Sequence, residues 1–222
     1  MTDVDLRILD DPATAAAELL ADAARAGDRI ALSGGSTVAP AFERATAHAL
    51  DWSRAELYWG DERAVPPDDE RSNYAIARAT LLDRLLTAPH AVHRIEGERG
   101  ADAAAAAYDE LLRDVVLDLA LNGLGADGHT ASLFPHSPAL EVVDRRAVAA
   151  EAGLDPFVPR ITLTPPVFAA TATLVYLVVG EGKADAARRA FAEPPSPATP
   201  ASLVRGRTTI ALLDPAAAAL LA

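Results

Sequence analysis

Residues 115–129 read VVLDLALNGLGADGH, a largely apolar run that passes directly into a glycine-rich loop. A nearly continuous apolar run bounded by glycines is typical of a strand buried on both faces, as in a parallel sheet. We therefore predict a strand over 115–125. The glycines that flank Asp127 and His129 indicate a special backbone path, so the loop is expected to present these two side chains at the strand's carboxyl end.

Strands and Ala-rich helices alternate along the rest of the chain. The other predicted strands are VDLRIL (4–9), RIALSGG (29–35), ELYWGDE (56–62), VHRI (92–95), RAVAA (146–150), RITLTP (160–165), TLVYLVVG (173–180) and TTIALLD (208–214). The predicted helices cover about 12–26, 37–50, 73–86, 101–113 and 182–192, with a short one after 165. This alternation predicts an α/β fold whose mostly parallel sheet has helices on both faces. EPPSPATPAS (193–202) is expected to be an extended surface loop.

Composition narrows the class of protein. With 222 residues, 50% of them hydrophobic, the chain is expected to form one domain over 1–222. The absence of cysteine excludes thiolate nucleophiles, disulfides and cysteine-ligated metals. No run reaches the roughly 18 apolar residues of a membrane helix, and the N-terminus is acidic, so we expect a cytoplasmic protein without membrane contact. A net charge of −12 without a basic cluster argues against nucleic-acid binding.

The segment Ser33-Gly34-Gly35-Ser36-Thr37 lies where a predicted strand enters a loop and the next predicted helix begins. Backbone N–H groups, hydroxyls and a helix N-terminus in this arrangement form a site for an anion such as phosphate. The alternative is a tight turn in which Ser36 or Thr37 caps the helix. The segment does not match the Walker A, dinucleotide-binding or nucleophile-elbow motifs, which disfavours nucleotide cofactors and a serine nucleophile.

Asp127-Gly128-His129 is the strongest candidate for acid–base chemistry. A histidine can act as a general base near neutral pH, and a nearby carboxylate can fix its tautomer. A structural histidine and a metal ligand are the alternatives. Only five histidines are present and none forms a His-x-x-x-His pair, so we expect no metal site.

Three successive charges, Asp61-Glu62-Arg63, lie at the end of the third predicted strand, and Ser72-Asn73 begins the next helix. Ions at the end of a buried strand need partners, which are either each other or a polar substrate. Ser72 and Asn73 either cap the helix or contact a ligand.

The positive charges are almost all arginine, since the chain has 19 Arg and one Lys. The lysine, Lys183, follows the strand TLVYLVVG in a glycine-flanked loop, where a cation could face a ligand. Arg160, at the start of RITLTP, is the second cation expected near the same crevice, with a surface ion pair as its alternative.

Taken together, these segments resemble the 6-phosphogluconolactonase family over nearly the whole chain. The stretches that carry the resemblance are LSGGST (32–37), WGDERAVPPDDERSNY (59–74), GLGADGHTASLFP (123–135), RITLT (160–164) and VVGEGKADAARR (178–189). The resemblance implies a modified Rossmann-like fold and hydrolysis of 6-phospho-glucono-1,5-lactone without a metal or organic cofactor. It also implies a phosphorylated sugar lactone as the partner molecule; we expect a monomer or weak homodimer.

The resemblance also implies roles for individual residues. His129 would be the base, Asp127 would orient it or hold sugar hydroxyls, Arg63 would stabilise the oxyanion and Asp61 would organise that side of the site. The substrate would be bound by Gly34, Gly35, Ser36, Thr37, Ser72, Asn73, Gly128, Arg160 and Lys183.

The main alternative is glucosamine-6-phosphate deaminase, which shares the fold and similar motifs. The deaminase pattern has Tyr where this chain has Arg63, and Glu where it has Phe134. Lactone hydrolysis needs only a directed water and charge stabilisation, so these differences favour the lactonase. His136 departs from the family motif, where Gly is expected, and is predicted to cap its loop rather than contact the site. A sugar-phosphate-binding module without catalysis is a third possibility, disfavoured by the intact Asp-Gly-His segment.

Overall fold

The structure is a computed structural model that describes residues 4–48, 51–153 and 155–221. Its strands are β1 (Val4–Ile8), β2 (Arg29–Leu32), β3 (Glu56–Trp59), β4 (Asp61–Arg63), β5 (Ala91–Val92), β6 (Leu119–Gly123), β7 (Ala147–Ala150), β8 (Arg160–Leu163), β9 (Thr173–Val178) and β10 (Thr208–Leu213). Its helices are α1 (Pro12–Ala26), α2 (Ala39–His48), α3 (Asn73–Thr80), α4 (Ala101–Leu111), α5 (Pro165–Ala170), α6 (Ala184–Phe191) and α7 (Pro200–Leu203).

Seven strands form one sheet in the order β1-β10-β9-β6-β2-β3-β5, and every neighbouring pair is parallel. Strands β9 and β10 are buried at every position except the first, so helices and loops cover both faces of the sheet there. The predicted α/β class is confirmed.

Helix α1 illustrates how local sequence sets these elements. Pro12 occupies its first turn, where a missing N–H costs nothing. The Asp11 side chain accepts a hydrogen bond from the Thr14 N–H at 3.3 Å and so caps the helix. Gly27 ends it with φ of 84°, a left-handed conformation that glycine adopts without strain.

A second, three-stranded antiparallel sheet has the order β4-β8-β7. The prediction of one strand over 56–62 was therefore wrong, because β3 and β4 belong to different sheets. Gly60 joins them: its N–H donates to Leu32 O at 2.8 Å, and its carbonyl accepts from Leu163 N at 2.9 Å. The charged residues Asp61-Glu62-Arg63 thus leave the main sheet and pair with β8.

Several other boundaries differ from the predictions. Residues 193–202 are not only a surface loop, since they lead into α7 and bury Thr199. The strands predicted at 92–95 and 115–125 are shorter, and helix 73–86 ends early in a 3₁₀ turn. The predicted end of α2, at Leu50, lies outside the described residues.

The topology fixes where a ligand can bind. From β2 the chain runs outward to β3 and β5, then returns to β6 on the other side of β2. The direction of winding therefore reverses between β2 and β6, and such a reversal opens a crevice at the strands' carboxyl ends. The loop 33–37 follows β2 and the loop 124–129 follows β6, so both border this crevice.

Candidate active site

A cavity of about 210 Å³ lies at this point of reversal. It is lined by Ser33, Gly34, Gly35, Ser36, Thr37, Asp61, Arg63, Asn73, Gly123, Leu124, Gly125, His129, Ala131 and Lys183. Most of the predicted site residues are thus brought together. Four of them, Ser72, Asp127, Gly128 and Arg160, do not line the cavity.

The turn that carries His129 is held by its own backbone. Gly128 N donates to Gly125 O at 2.9 Å, and Gly125 N donates to His129 O at 2.8 Å. Gly128 has a φ of 95°, a backbone conformation that residues other than glycine rarely adopt. Gly125 leaves room for the imidazole, because a Cβ there would lie 2.0 Å from His129 Nδ1.

Asp127 hydrogen-bonds to His129 and does not line the cavity. Its Oδ1 lies 2.6 Å from His129 Nδ1 and accepts the His129 N–H at 3.1 Å. Burial acts to raise the pKa of Asp127, but hydrogen bonds and the charge of His129 outweigh it, so the pKa is lowered. Because Asp127 occupies Nδ1, Nε2 is the ring nitrogen left to exchange a proton with a bound molecule.

Phe134 packs against the His129 ring. The two ring centroids are 5.0 Å apart, and Phe134 is buried. The position where the deaminase pattern has a carboxylate is therefore filled by an apolar ring that restricts the imidazole.

A buried network supports the neighbouring wall. Asp61 Oδ2 accepts from Ser132 Oγ at 2.6 Å, and Asp61 Oδ1 accepts from Asn73 Nδ2 at 3.1 Å. Sequence reasoning missed Ser132, although it lies three residues after His129, because its partner is distant in sequence. Both Asp61 oxygens have protein partners, which suits a residue that organises the wall.

Glu62 caps helix α3. Its carboxylate accepts the N–H groups of Arg63, Asn73 and Tyr74 at 2.7–2.8 Å and the Ser72 hydroxyl at 3.0 Å. Burial raises the pKa of Glu62, while these N–H groups oppose that effect. Ser72 also accepts the Ala75 N–H, which is the capping role the sequence left open.

Asn73 packs beneath the Gly-rich loop. A Cβ on Gly34 would lie 1.8 Å from Asn73 Oδ1. That oxygen is buried and accepts no hydrogen bond within the described part of the chain. A side chain at position 34 would therefore clash with Asn73, and only glycine fits there.

Replacing Gly34 with alanine is expected to lower the free energy of unfolding by about 1–3 kcal/mol, because the methyl group overpacks against Asn73. The KM should also rise. Chemical denaturation and steady-state kinetics measure both effects.

Two variants make this prediction specific. Gly182→Ala is the control, since its Cβ meets nothing within 4 Å, its φ lies outside the left-handed region and it does not line the cavity. Asn73→Ala should cancel much of the Gly34→Ala penalty. Additive effects of Gly34→Ala and Asn73→Ala would contradict the steric explanation.

Two arginines lie side by side on adjacent strands of the second sheet. Arg63 and Arg160 are directly opposite in the β4–β8 pairing, so their side chains share a face. Arg63 Nη1 donates to Arg71 O at 2.6 Å, and Arg160 Nη2 donates to Pro156 O at 2.9 Å. Arg63 Nε and Arg160 Nη1 are buried without partners among the described residues. Burial and the charge of Arg63 lower the pKa of Arg160.

Lys183 reaches the cavity from the loop after β9. Burial lowers its pKa, and the negative charge of Asp127 partly opposes this effect. His136, by contrast, is exposed, and its N–H donates to Pro197 O at 3.0 Å. The histidine therefore lies in the loop as predicted and does not line the cavity.

Residues 4–48, 51–153 and 155–221 contain no group of three or more His, Asp or Glu side chains placed to hold a metal ion. Within those same ranges, no helix has both the length and the apolar character needed to cross a membrane.

Known proteins with the same arrangement identify the family. Residues 7–212 match the family model described as glucosamine-6-phosphate isomerases/6-phosphogluconolactonase. The 6-phosphogluconolactonase of Mycobacterium leprae is 39% identical over 213 residues, covering 89% of this chain and 86% of that protein. The Trypanosoma brucei 6-phosphogluconolactonase structure superposes with a TM-score of 0.88 at 25% identity, covering 100% of both chains. A monomeric glucosamine-6-phosphate deaminase, 19% identical, has a TM-score of 0.85 over 98% of this chain and 99% of its own, which shows the shared fold alone. The chain belongs to the glucosamine-6-phosphate isomerase/6-phosphogluconolactonase family.

Proposed function

We propose that this protein hydrolyses 6-phospho-D-glucono-1,5-lactone to 6-phospho-D-gluconate, the second step of the oxidative pentose phosphate pathway. The observation that carries the proposal is the Asp127–His129 pair at a cavity that also contains Lys183, Arg63 and the Gly34–Thr37 loop. Family membership, with 6-phosphogluconolactonases as relatives, supports the same reaction.

His129 is the general base of the proposed reaction. Its Nε2 removes a proton from water as the water oxygen attacks the lactone carbonyl carbon. The tetrahedral intermediate then collapses, the bond from the carbonyl carbon to the ring oxygen breaks, and imidazolium returns the proton to that oxygen. Asp127 holds Nδ1 and stabilises the imidazolium that forms in between. No redox step or metal-bound nucleophile is needed.

Arg63 is the proposed oxyanion donor. It lines the cavity beside His129, and its guanidinium has further N–H donors besides the Nη1 that donates to Arg71 O. A guanidinium held in this way stabilises developing negative charge on the carbonyl oxygen with little reorganisation.

The substrate phosphate is assigned to the Gly34–Thr37 loop and Lys183. Successive backbone N–H groups and the two hydroxyls of this loop suit phosphate oxygens, and Lys183 adds a compact charge. Arg160 does not line the cavity, so its proposed contribution is its positive charge, which lies directly opposite Arg63 on the neighbouring strand and adds to the field at the site.

Asp61 and Asn73 are the proposed contacts for sugar hydroxyls. Both line the cavity, and the Asp61 carboxylate, which accepts one side-chain hydrogen bond at each oxygen, has lone pairs left for a sugar hydroxyl. Ser72 and Gly128 act indirectly. Ser72 hydrogen-bonds to Glu62, and Gly128 forms part of the turn that carries His129. We further propose that the protein acts in the cytoplasm, as a single domain and as a monomer or weak homodimer.

Acid release from freshly prepared 6-phosphogluconolactone tests the proposal, with the spontaneous hydrolysis rate as background. Wild-type protein should raise the rate well above that background. A rate equal to the background, together with ammonia release from glucosamine 6-phosphate, would instead identify a deaminase. The Phe134 ring against His129 disfavours that outcome, because enolisation and ring opening use additional carboxylates.

Binding of the product 6-phosphogluconate is expected to weaken as the pH rises from 7 towards 10. Burial lowers the pKa of Lys183, so its positive charge is lost at a lower pH than that of a free lysine. A phosphate monoester is already dianionic above about pH 7, so the ligand charge stays constant. Loss of this ion pair should reduce affinity by about 10- to 100-fold, measured by calorimetry.

Lys183→Arg is the matched control for this pH dependence. A guanidinium stays charged throughout that range, so its affinity should be nearly constant. An equal loss of affinity in Lys183→Arg would assign the pH dependence to another group.

A further inference from the structure

Arg189 does not line the cavity, but it hydrogen-bonds to the turn that carries Asp127 and His129. From α6, its Nη1 donates to Asp127 O at 3.2 Å and to Thr199 Oγ1 at 2.8 Å. Its Nη2 donates to Ala126 O at 3.1 Å. One rigid guanidinium thus binds two successive carbonyls of the turn, a fork geometry that lysine cannot reproduce.

The segment after α6 completes this contact. A Cβ on Gly128 would lie 2.8 Å from Thr199 Cγ2 and 3.1 Å from Arg189 Nη1. Gly128 O accepts the Ala201 N–H at 3.0 Å. The turn is therefore enclosed by Arg189 and Thr199, which we call the loop clamp.

The loop clamp acts on the same peptide groups that aim the Asp127 side chain. Rotation of the Ala126–Asp127 or Asp127–Gly128 peptide would redirect Asp127 Oδ1, which accepts from both His129 N and His129 Nδ1. The two carbonyls that Arg189 binds, Ala126 O and Asp127 O, belong to these two peptide groups. Fixing them fixes the imidazole without any contact with substrate.

The neighbouring Arg188 differs in its contacts. It pairs with Asp185 and Glu193, and its side chain is more exposed, at 37% compared with 24% for Arg189. Arg189 also donates to Asp185, at 2.9 Å. The two arginines therefore share a helix and an ion-pair partner, while Arg189 additionally reaches the turn.

We infer that Arg189 is a positioning residue for the Asp127–His129 pair, acting through the backbone of residues 126–128. Its catalytic consequence rests on the proposed lactone hydrolysis. Misplacement of a reacting group by about 1 Å can cost roughly 100-fold in rate. Arg189→Ala should accordingly lower kcat by about 10- to 100-fold and leave KM within about twofold.

Kinetics and amide hydrogen exchange on the full chain test the inference. Arg189→Ala should speed exchange at the Gly128, His129 and Ala201 N–H groups, all of which are hydrogen-bonded around the turn. Arg189→Lys should recover part of kcat, and Arg188→Ala should match wild type in both measurements. The thermal midpoint of each variant is recorded to exclude unfolding.

Either of two results would overturn the role of Arg189. One is a wild-type kcat in Arg189→Ala; the other is unchanged exchange at the three amides. Wild-type protein without lactonase activity would reject the proposed function instead, and the exchange data would still decide whether Arg189 holds the turn.

Discussion

Replacing His129 with alanine is expected to lower kcat for 6-phosphogluconolactone by about 100- to 10,000-fold, the usual contribution of a positioned general base. His129 Nδ1 lies 2.6 Å from the Asp127 carboxylate, which leaves Nε2 to exchange a proton with a bound molecule. Affinity for 6-phosphogluconate should change little, because the proposed phosphate contacts lie in the Gly34–Thr37 loop and at Lys183. Acid release gives the rate after the spontaneous background is subtracted, and calorimetry gives the affinity.

His136→Ala is the matched control. His136 is exposed, lies seven residues further along the chain and does not line the cavity. Its removal should leave kcat unchanged. A His129→Ala variant that folds and keeps wild-type kcat would show that water attacks without this base, and Arg63 would then be the first residue to replace.

The sequence was sufficient to predict the main sheet because its strands are continuous apolar runs separated by helix signals. It also predicted that the unusual glycine-rich segments meet in one crevice, since ligand loops in such sheets follow the strands' carboxyl ends. Neither inference needed contacts between distant residues. The Asp127–His129 contact was likewise predictable, as it spans two residues.

Features that depend on distant partners could not be predicted. The strand ELYWGDE divides at Gly60 because Asp61–Arg63 finds an antiparallel partner in β8, nearly 100 residues later. Thr199 is buried because Arg189 and Gly128 contact it, although its Pro-rich surroundings indicate an exposed loop. Ser132 is recognisable as part of the site only once Asp61 is placed beside it. The local sequence pattern around each residue does not indicate any of these distant contacts.

The charge distribution explains how an acidic protein can bind a phosphorylated sugar. The net charge of −12 opposes the approach of anions, yet Arg63 and Lys183 both line the cavity. Local fields in a cleft depend on such nearby, partly desolvated charges more than on distant surface ones. Association with substrate should therefore depend on these few cations.

Asp127→Asn is expected to lower kcat by about 100-fold or more while preserving the shape of the turn. Asparagine keeps an oxygen that can accept from His129 Nδ1, but it lacks the negative charge that stabilises imidazolium and fixes the tautomer. The coupling between Asp127 and His129 is measured by steady-state kinetics of four proteins: wild type, the two single variants Asp127→Asn and His129→Ala, and the double variant. If the two residues act as one unit, the double variant should be no slower than His129→Ala.

The same variant also tests the ionisation of Asp127. Hydrogen bonds and the charge of His129 lower the pKa of Asp127 despite burial, so its ionised form stabilises the fold at pH values above about 4, the ordinary value of a free aspartate. That stabilisation is lost as the pH falls through the lowered pKa. Urea unfolding at pH 6 should therefore separate wild type from Asp127→Asn, and the difference should shrink towards pH 3. A raised KM with kcat preserved would instead mean that Asp127 binds sugar hydroxyls, which its absence from the cavity lining argues against.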